Sequence, residues 1–392
     1  MDNPICSLEI CTGCSACLNV CPVHCIQMVT DNEGFDFPLI HTSECIDCRK
    51  CENVCPMINS ADFYNDSIPL VYASWNRDKD TRFNSSSGGI FTALASDIID
   101  RGGIVYGVAY DQDMVVCHIG IEKKEDIKKL QGSKYVQSNI GKIYSDVKLK
   151  LNAGMEVLFS GTPCQVAGLK NFIGRMDENL ITCDLLCHGV PSPQLFKEYI
   201  QFLEQKTNEK IVDYKFRDKR NEWGFNNRVA IFENGNEKIL RGQDDTYIYG
   251  FANCFSLRNS CYNCKYTRLE RVGDVTLGDF WGIGEIEKFD YPTKNGVSLL
   301  LVNTAKGQVL LRTIEERIIL EKRSLEEAKH NRSKLSHPIK KPHNRSVFYK
   351  DFSILSFDEL SKKHLVDKGV KGLIKKIIPS LWVYKIRMLF RG

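Results

Sequence analysis

The run Cys11-Thr-Gly-Cys14-Ser-Ala-Cys17-Leu-Asn-Val-Cys21-Pro22 returns further on as Cys45-Ile-Asp-Cys48-Arg-Lys-Cys51-Glu-Asn-Val-Cys55-Pro56. Each half is C-x2-C-x2-C-x3-C-P, in which three closely spaced thiolates grip three irons of a cubane and the fourth cysteine serves the neighbouring cluster. That crossing assigns Cys11, Cys14, Cys17 and Cys55 to one [4Fe-4S] cluster, and Cys45, Cys48, Cys51 and Cys21 to a second. Pro22 and Pro56 fix the backbone just past each fourth ligand and stop the short helix there. Zinc knuckles separate two ligand pairs by a longer loop, and a disulfide knot requires no such repeat, so both alternatives fit poorly.

Residues 1–60 are therefore expected to be a ferredoxin-like domain, an internal duplication with two small strands and two short helices. Seventeen cysteines would suggest a disulfide scaffold in a short secreted chain. Here they sit in 392 residues with no signal sequence before the first motif, so the expected compartment is reducing and cytoplasmic. A net charge of +4 is too small to argue for nucleic acid, and 43% hydrophobic content is ordinary for a globular protein. No apolar run approaches the roughly 18 residues that cross a bilayer.

Residues 59–67 read as a polar linker. Beyond them a strand is expected at 71–75, a helix opening after Ser85-Ser86-Ser87-Gly88-Gly89, and a strand pair at 104–110 and 114–121. Helical spacing at 140–151, a strand at 156–160, a helix at 163–173, a strand at 180–186 and a helix at 193–206 follow. This alternation predicts an α/β layer with mostly parallel pairing. From about 211 the pattern changes to paired strands, with Asn234-Gly235-Asn236 turning a hairpin between 229–232 and 238–240. The segment 362–392 interleaves lysines with Leu373, Ile377 and Trp382. It reads as a basic amphipathic stretch that either docks on its own protein or makes peripheral contact with an anionic membrane surface.

Cysteines recur in the second part of the chain. Cys164 follows a strand and sits in the first turn of a helix begun by Pro163, and Cys187 ends the next strand. Consecutive parallel strands finish on one edge, so these thiols can converge, and Cys261-Tyr-Asn-Cys264 completes four ligands. The expectation is a third [4Fe-4S] cluster on Cys164, Cys187, Cys261 and Cys264, with a structural zinc site or buried apolar cysteines as alternatives. Cys6, Cys25, Cys117, Cys183 and Cys254 read as buried side chains. His188, beside Cys187, is a candidate proton donor, or a hydrogen-bonding support to the ligand.

One-electron clusters need a two-electron partner, usually a flavin. Ser87, Gly88 and Gly89 at a helix start can cradle a phosphate, and Ser133, Lys134 and Tyr135 add a hydroxyl, a cation and an aromatic face. No G-x-G-x-x-G fingerprint marks a standard dinucleotide site.

Taken together, Ser-Ser-Ser-Gly-Gly at 85–89, Gly-Ser-Lys-Tyr-Val-Gln-Ser at 132–138, Gly-Thr-Pro-Cys-Gln at 161–165, Cys-His-Gly at 187–189, Ser-Cys-Tyr-Asn-Cys at 260–264 and Gly-Asp-Phe-Trp-Gly at 278–282 resemble the beta-subunit family of coenzyme F420 hydrogenase and dehydrogenase. The resemblance covers about residues 70–330. It implies FAD and one [4Fe-4S] cluster in that domain, with Cys164, Cys187, Cys261 and Cys264 as ligands and a flavin region that takes in Gly161 and Thr162. It also implies electron exchange between clusters and a two-electron acceptor; relatives include a chlorophyll-derivative reductase and proteins that look associated with bacterial polysaccharide assembly.

The expected fold class is thus mixed α+β and α/β: a ferredoxin-like two-cluster domain (1–60) fused to a flavin- and iron–sulfur-binding domain in two parts (70–155 and 156–335), then a basic tail (336–392). The expected function is an iron–sulfur flavoprotein oxidoreductase fed by ferredoxin or another redox protein and acting on an organic substrate. The alternatives are an electron-transfer subunit that feeds a partner enzyme and a scaffold that has lost its flavin.

Overall fold

The computed structural model describes residues 5–59, 64–65, 68–174, 177–224, 227–241, 245–330 and 333–366. The N-terminal unit consists of α1 (Ala16–Val20), the antiparallel hairpin β1 (Ile26–Thr30) and β2 (Asp36–Ile40), and α2 (Lys50–Asn53). Its duplication is visible in the backbone. Gly13 and Ser15 before α1 have φ of 63° and 61°, and Asp47 and Arg49 before α2 have 53° and 54°. Left-handed backbone costs an L-residue about 1–2 kcal/mol, so three such non-glycine residues at equivalent places reflect a shared structural demand.

The main domain continues with β3 (Leu70–Asn76), α3 (Lys79–Asn84), α4 (Ile90–Asp100), β4 (Ile104–Tyr110), β5 (Val116–Ile121), α5 (Ile127–Leu130), α6 (Ile143–Asn152), β6 (Val157–Gly161), α7 (Pro163–Ile173), β7 (Leu180–Leu185) and α8 (Pro193–Thr207). A three-stranded antiparallel sheet of β8 (Ile211–Lys215), β9 (Asn227–Phe232) and β10 (Glu237–Arg241) follows. Then come α9 (Thr246–Ala252), β11 (Val275–Asp279), β12 (Ser298–Val302), α10 (Ala305–Thr313), β13 (Ile318–Lys322) and α11 (Leu325–Lys329).

Eight strands form the large sheet, in the order β13-β3-β12-β11-β7-β6-β4-β5. Only the central run β11-β7-β6-β4 is parallel. β5 pairs antiparallel with β4, and β3 lies between β12 and β13, antiparallel to both. The expectation of mostly parallel pairing therefore holds for the centre of the sheet and fails at both flanks. β3 precedes β4 in sequence but joins strands formed more than two hundred residues later, a long-range pairing that local alternation does not encode.

The parallel centre positions the site. β6 ends at Gly161, and Thr162 and Gln165 form a reciprocal capping box around Pro163 and Cys164 at the start of α7. β7 ends just before Leu186-Cys187, and β11 just before Phe280-Trp281. Parallel strands deliver these three loops to one edge.

The described part of 336–392 is not a loose tail. α12 (Arg345–Phe352) and α13 (Phe357–His364) bury Phe348, Tyr349, Phe352, Phe357 and Leu360 in the same apolar core as Phe35, Phe37 and Leu195. Hydrophobic side chains three and four apart explain the helices; the surrounding lysines hid them in the sequence. The stretch 367–392, where most of the basic amphipathic segment falls, lies outside the described residues. Of the linker, Asn65 is pinned by hydrogen bonds to the carbonyls of Arg271 and Gly273. Among the described residues no helix is long and apolar enough to cross a membrane.

Candidate functional site

In the N-terminal unit Cys11, Cys14, Cys17 and Cys55 lie together, and Cys51 and Cys21 are drawn toward Cys45, the latter through Cys25. Burial, and then the charges of Cys14, Cys11 and Cys55, push the Cys17 thiol far up. Cys51 feels Cys45, and Cys25 touches both Cys21 and Cys45. The left-handed residues turn backbone N–H groups inward, a concavity of the kind that holds anions and Fe–S groups. The Asp47 N–H, for instance, points at Cys45 Sγ from 3.4 Å. These features fit an anionic iron–sulfur cage in each half. The two sets differ in setting: Cys11, Cys14 and Cys55 are buried, whereas Cys45 and Cys48 lie on an exposed loop at 41–50.

Cys164, Cys187, Cys261 and Cys264 line one cavity at the edge reached by β6 and β7. Burial, and then the neighbouring cysteines, raise Cys187 far above the usual thiol range and bring Cys264 to about 11. The Gly189 N–H donates to Cys187 Sγ at 3.3 Å, and Thr162 Oγ1 lies 3.2 Å from Cys164 Sγ. Two buried hydroxyls on the cavity wall, Thr12 Oγ1 and Tyr266 Oη, have no hydrogen-bond partner among the described residues. Buried donors require acceptors, and thiolates with inorganic sulfide would supply them. Four cysteines are the donor set of a [4Fe-4S] cage, in which each thiolate takes its own iron.

Against this cavity lies a much larger pocket of about 640 Å³, within the roughly 300–1,000 Å³ typical of small-molecule and cofactor sites. Ser87, Gly89, Ser133, Lys134, Tyr135, Gly161 and Thr162 all line it. The two predicted cradle motifs meet where the Ser133 N–H donates to Ser86 Oγ at 2.7 Å. Gly88 is placed behind the wall, with its N–H on Ser298 Oγ and no room for a side chain against the Ser74 carbonyl. Lys134 is half-buried, its ammonium donates to the carbonyls of Lys129 and Gln131, and desolvation lowers its pKa to about 8. Tyr135 stacks on Phe251 with ring centres 4.7 Å apart.

The wall between cavity and pocket is shared. Thr162, Cys187, His188, Gly189, Val190 and Lys334 line both. Burial first, then the charge of Lys334, lowers the His188 pKa to about 4. Its Nε2 lies 3.4 Å from Cys254 Sγ, and its edge is turned toward Phe251.

Sequence reasoning missed three neighbours. Cys6 is half-buried and hydrogen-bonds to Cys11 and Cys55, drawing Cys11 down to about 6 and Cys55 to about 7. Cys25 lies 3.5 Å from Cys21, sulfur to sulfur. Arg258, buried beside Cys11, had no signal except its place three residues before Cys261.

Residues 10–58 match the 4Fe-4S dicluster domain, and with the geometry above this defines the class: an iron–sulfur protein of the oxidoreductase type. Residues 71–144 match the coenzyme F420 hydrogenase/dehydrogenase beta subunit N-terminal family and residues 154–328 its C-terminal counterpart. Together these span more than half of the sequence, and the chain belongs to the coenzyme F420 hydrogenase/dehydrogenase beta-subunit family. A similar chain occurs in the solved structure titled as the xenon derivatization of the F420-reducing [NiFe] hydrogenase complex from Methanosarcina barkeri. It is 17% identical, over 75% of this chain and 90% of that one, with a TM-score of 0.43. No curated protein matches this chain.

Proposed function

We propose that this chain is an iron–sulfur flavoprotein oxidoreductase: a redox protein docks at the Cys45–Cys48 face, and an organic substrate exchanges two electrons in the pocket of about 640 Å³. The residues that would hold the three clusters are the two crossed sets of the N-terminal unit and the quartet Cys164, Cys187, Cys261 and Cys264. Clusters supply one-electron exchange, and a flavin, FAD by family resemblance, converts it to two-electron chemistry. The observation that carries this reading is the shared wall, because it puts cysteine ligands and the cofactor-sized pocket on opposite sides of Cys187-His188-Gly189-Val190.

The chain's own residues divide the work. The serine and glycine motifs and the start of α7 present hydroxyls and amides to an anionic cofactor. Tyr135 and Phe251 give it an apolar face, and His188 supports the wall beside Cys187. Anaerobically purified protein is expected to release one FAD per chain, and that flavin should be reduced when a reduced ferredoxin is added. Protein that carries iron but binds no flavin would overturn the flavoprotein reading.

A second reading, an electron-transfer subunit without its own substrate, is favoured by the exposed cluster face and by the family's description as a beta subunit. Turnover by the isolated chain with an artificial donor separates the two. Oxidised F420 and sugar substrates of polysaccharide assembly are the first compounds to test. Membrane contact through 362–392 rests on the sequence alone. Unchanged co-sedimentation with anionic vesicles after its deletion would end that idea.

A further inference from the structure

Arg258 is among the largest fully buried side chains, 1% exposed, at the junction of the N-terminal unit and the main domain. Its Nε donates to the Cys11 carbonyl at 2.8 Å, Nη1 to Gln137 Oε1 at 3.0 Å, and Nη2 to the Asp36 carbonyl at 3.0 Å. Nη2 also points at Cys11 Sγ from 3.8 Å, and the guanidinium lies over Phe37 at 4.1 Å. On its other side it lines the cavity of Cys164, Cys187, Cys261 and Cys264.

No carboxylate lies within ion-pair distance of it among the described residues. Asp31 feels its charge at longer range, but Asp31 Oδ1 accepts from the N–H groups of Glu33 and Phe35. Arg271, the other guanidinium on the cavity wall, contrasts sharply: it is paired with buried Asp184 at 3.0 Å. A buried arginine bonded only to neutral acceptors is costly unless negative charge stands nearby. What stands nearby is sulfur: Nη2 faces Cys11 Sγ, and Cys164 and Cys261 share the cavity wall with the guanidinium.

We propose that Arg258 is the counter-cation shared by the Cys11 cluster and the Cys164 cluster, raising the reduction potential of both while leaving the Cys45 cluster alone. Net charge and hydrogen bonds to sulfur are the main protein levers on cluster potential. One guanidinium between two ligand sets acts on both at once. It thereby makes the two inner sites easier to reduce than they would be without it.

The inference rests on the three-cluster reading, and iron content keeps the two apart: about eight irons per wild-type chain would fail that reading, while about twelve sets up the test. In Arg258→Gln, full length and anaerobically prepared, EPR-monitored redox titration should show the Cys11 and Cys164 sites at least tenfold harder to reduce. That corresponds to about 59 mV per tenfold for a one-electron couple. The Cys45 site should not move, and a Cys264→Ser background assigns the Cys164 signal. An equal shift at all three sites, or none, would overturn the proposal. If Arg258→Gln does not fold, wild-type protein labelled with guanidino-15N arginine decides the matter by pulsed EPR: a 15N coupling is expected on the reduced Cys11 site, and its absence would overturn the proposal.

Discussion

Gly13 and Asp47 occupy the same place in the two cysteine repeats and have nearly the same backbone, with φ of 63° and 53°. One must be glycine and the other need not be. A Cβ on Gly13 would meet Gln137 Nε2 at 2.6 Å and Arg258 Nη1 at 2.9 Å, whereas Asp47 faces solvent. Gly13→Ala should cost at least about 1–2 kcal/mol from the left-handed strain alone. Asp47→Gly should stay within about 1 kcal/mol of wild type, with relieved strain offset by a freer unfolded chain. Denaturant midpoints measured anaerobically check both, and equal effects would refute the contrast.

His118 carries a second residue-scale prediction. It is buried, stacked on Phe159, and held between the Ser138 hydroxyl and the Ser160 carbonyl at 3.1 Å each; burial lowers its pKa to about 4. Between pH 6.5 and 4 the unfolded chain binds the proton that the native ring refuses, so stability falls as pH drops through that window. At pH 5.5, one unit below the ordinary value, the loss is about 1.4 kcal/mol relative to pH 7.5. His118→Phe should be less stable at pH 7.5, because Ser138 and Ser160 lose a partner, yet should not show that additional loss; parallel pH profiles would contradict this. The two N-terminal cysteine repeats were readable because their spacing is local. Arg258 and His118 were not, because each is defined by partners from several distant segments.

At the scale of elements, α7 does most to join the two halves. It starts with Cys164, and its Gly168 packs so closely on the N-terminal unit that a Cβ would lie 3.0 Å from Cys14 Sγ. Gly168→Val should overpack this contact by about 1–3 kcal/mol. It should also perturb the EPR signals of the Cys14 and Cys164 sites while sparing that of Cys45; an unchanged spectrum would show that α7 does not set their spacing. Local pattern located α7 at its observed ends because Pro163 and the Thr162–Gln165 box punctuate it. The flanks of the large sheet were not legible, since β3 is completed by β12 and β13 from the far end of the chain. α12 and α13 were hidden in a basic composition whose apolar positions become meaningful only against Phe35 and Leu195.

At the scale of the whole molecule, the cysteine sets lie in a graded environment from exposed loop to buried junction to pocket wall. Cys164 is close enough to Cys14 that its charge adds to burial in raising the Cys14 thiol, and Arg258 stands on the same boundary. The C-terminal helices hold this arrangement in place: Arg345 reaches across to Glu33 with two hydrogen bonds and to the Leu257 carbonyl with a third. The order of sites is thus a property of the assembled core rather than of the cysteine motifs alone. Iron and acid-labile sulfide per chain, determined on anaerobically purified wild type and Cys264→Ser, test this account most directly. It predicts about twelve irons falling to about eight; about eight in both would contradict it.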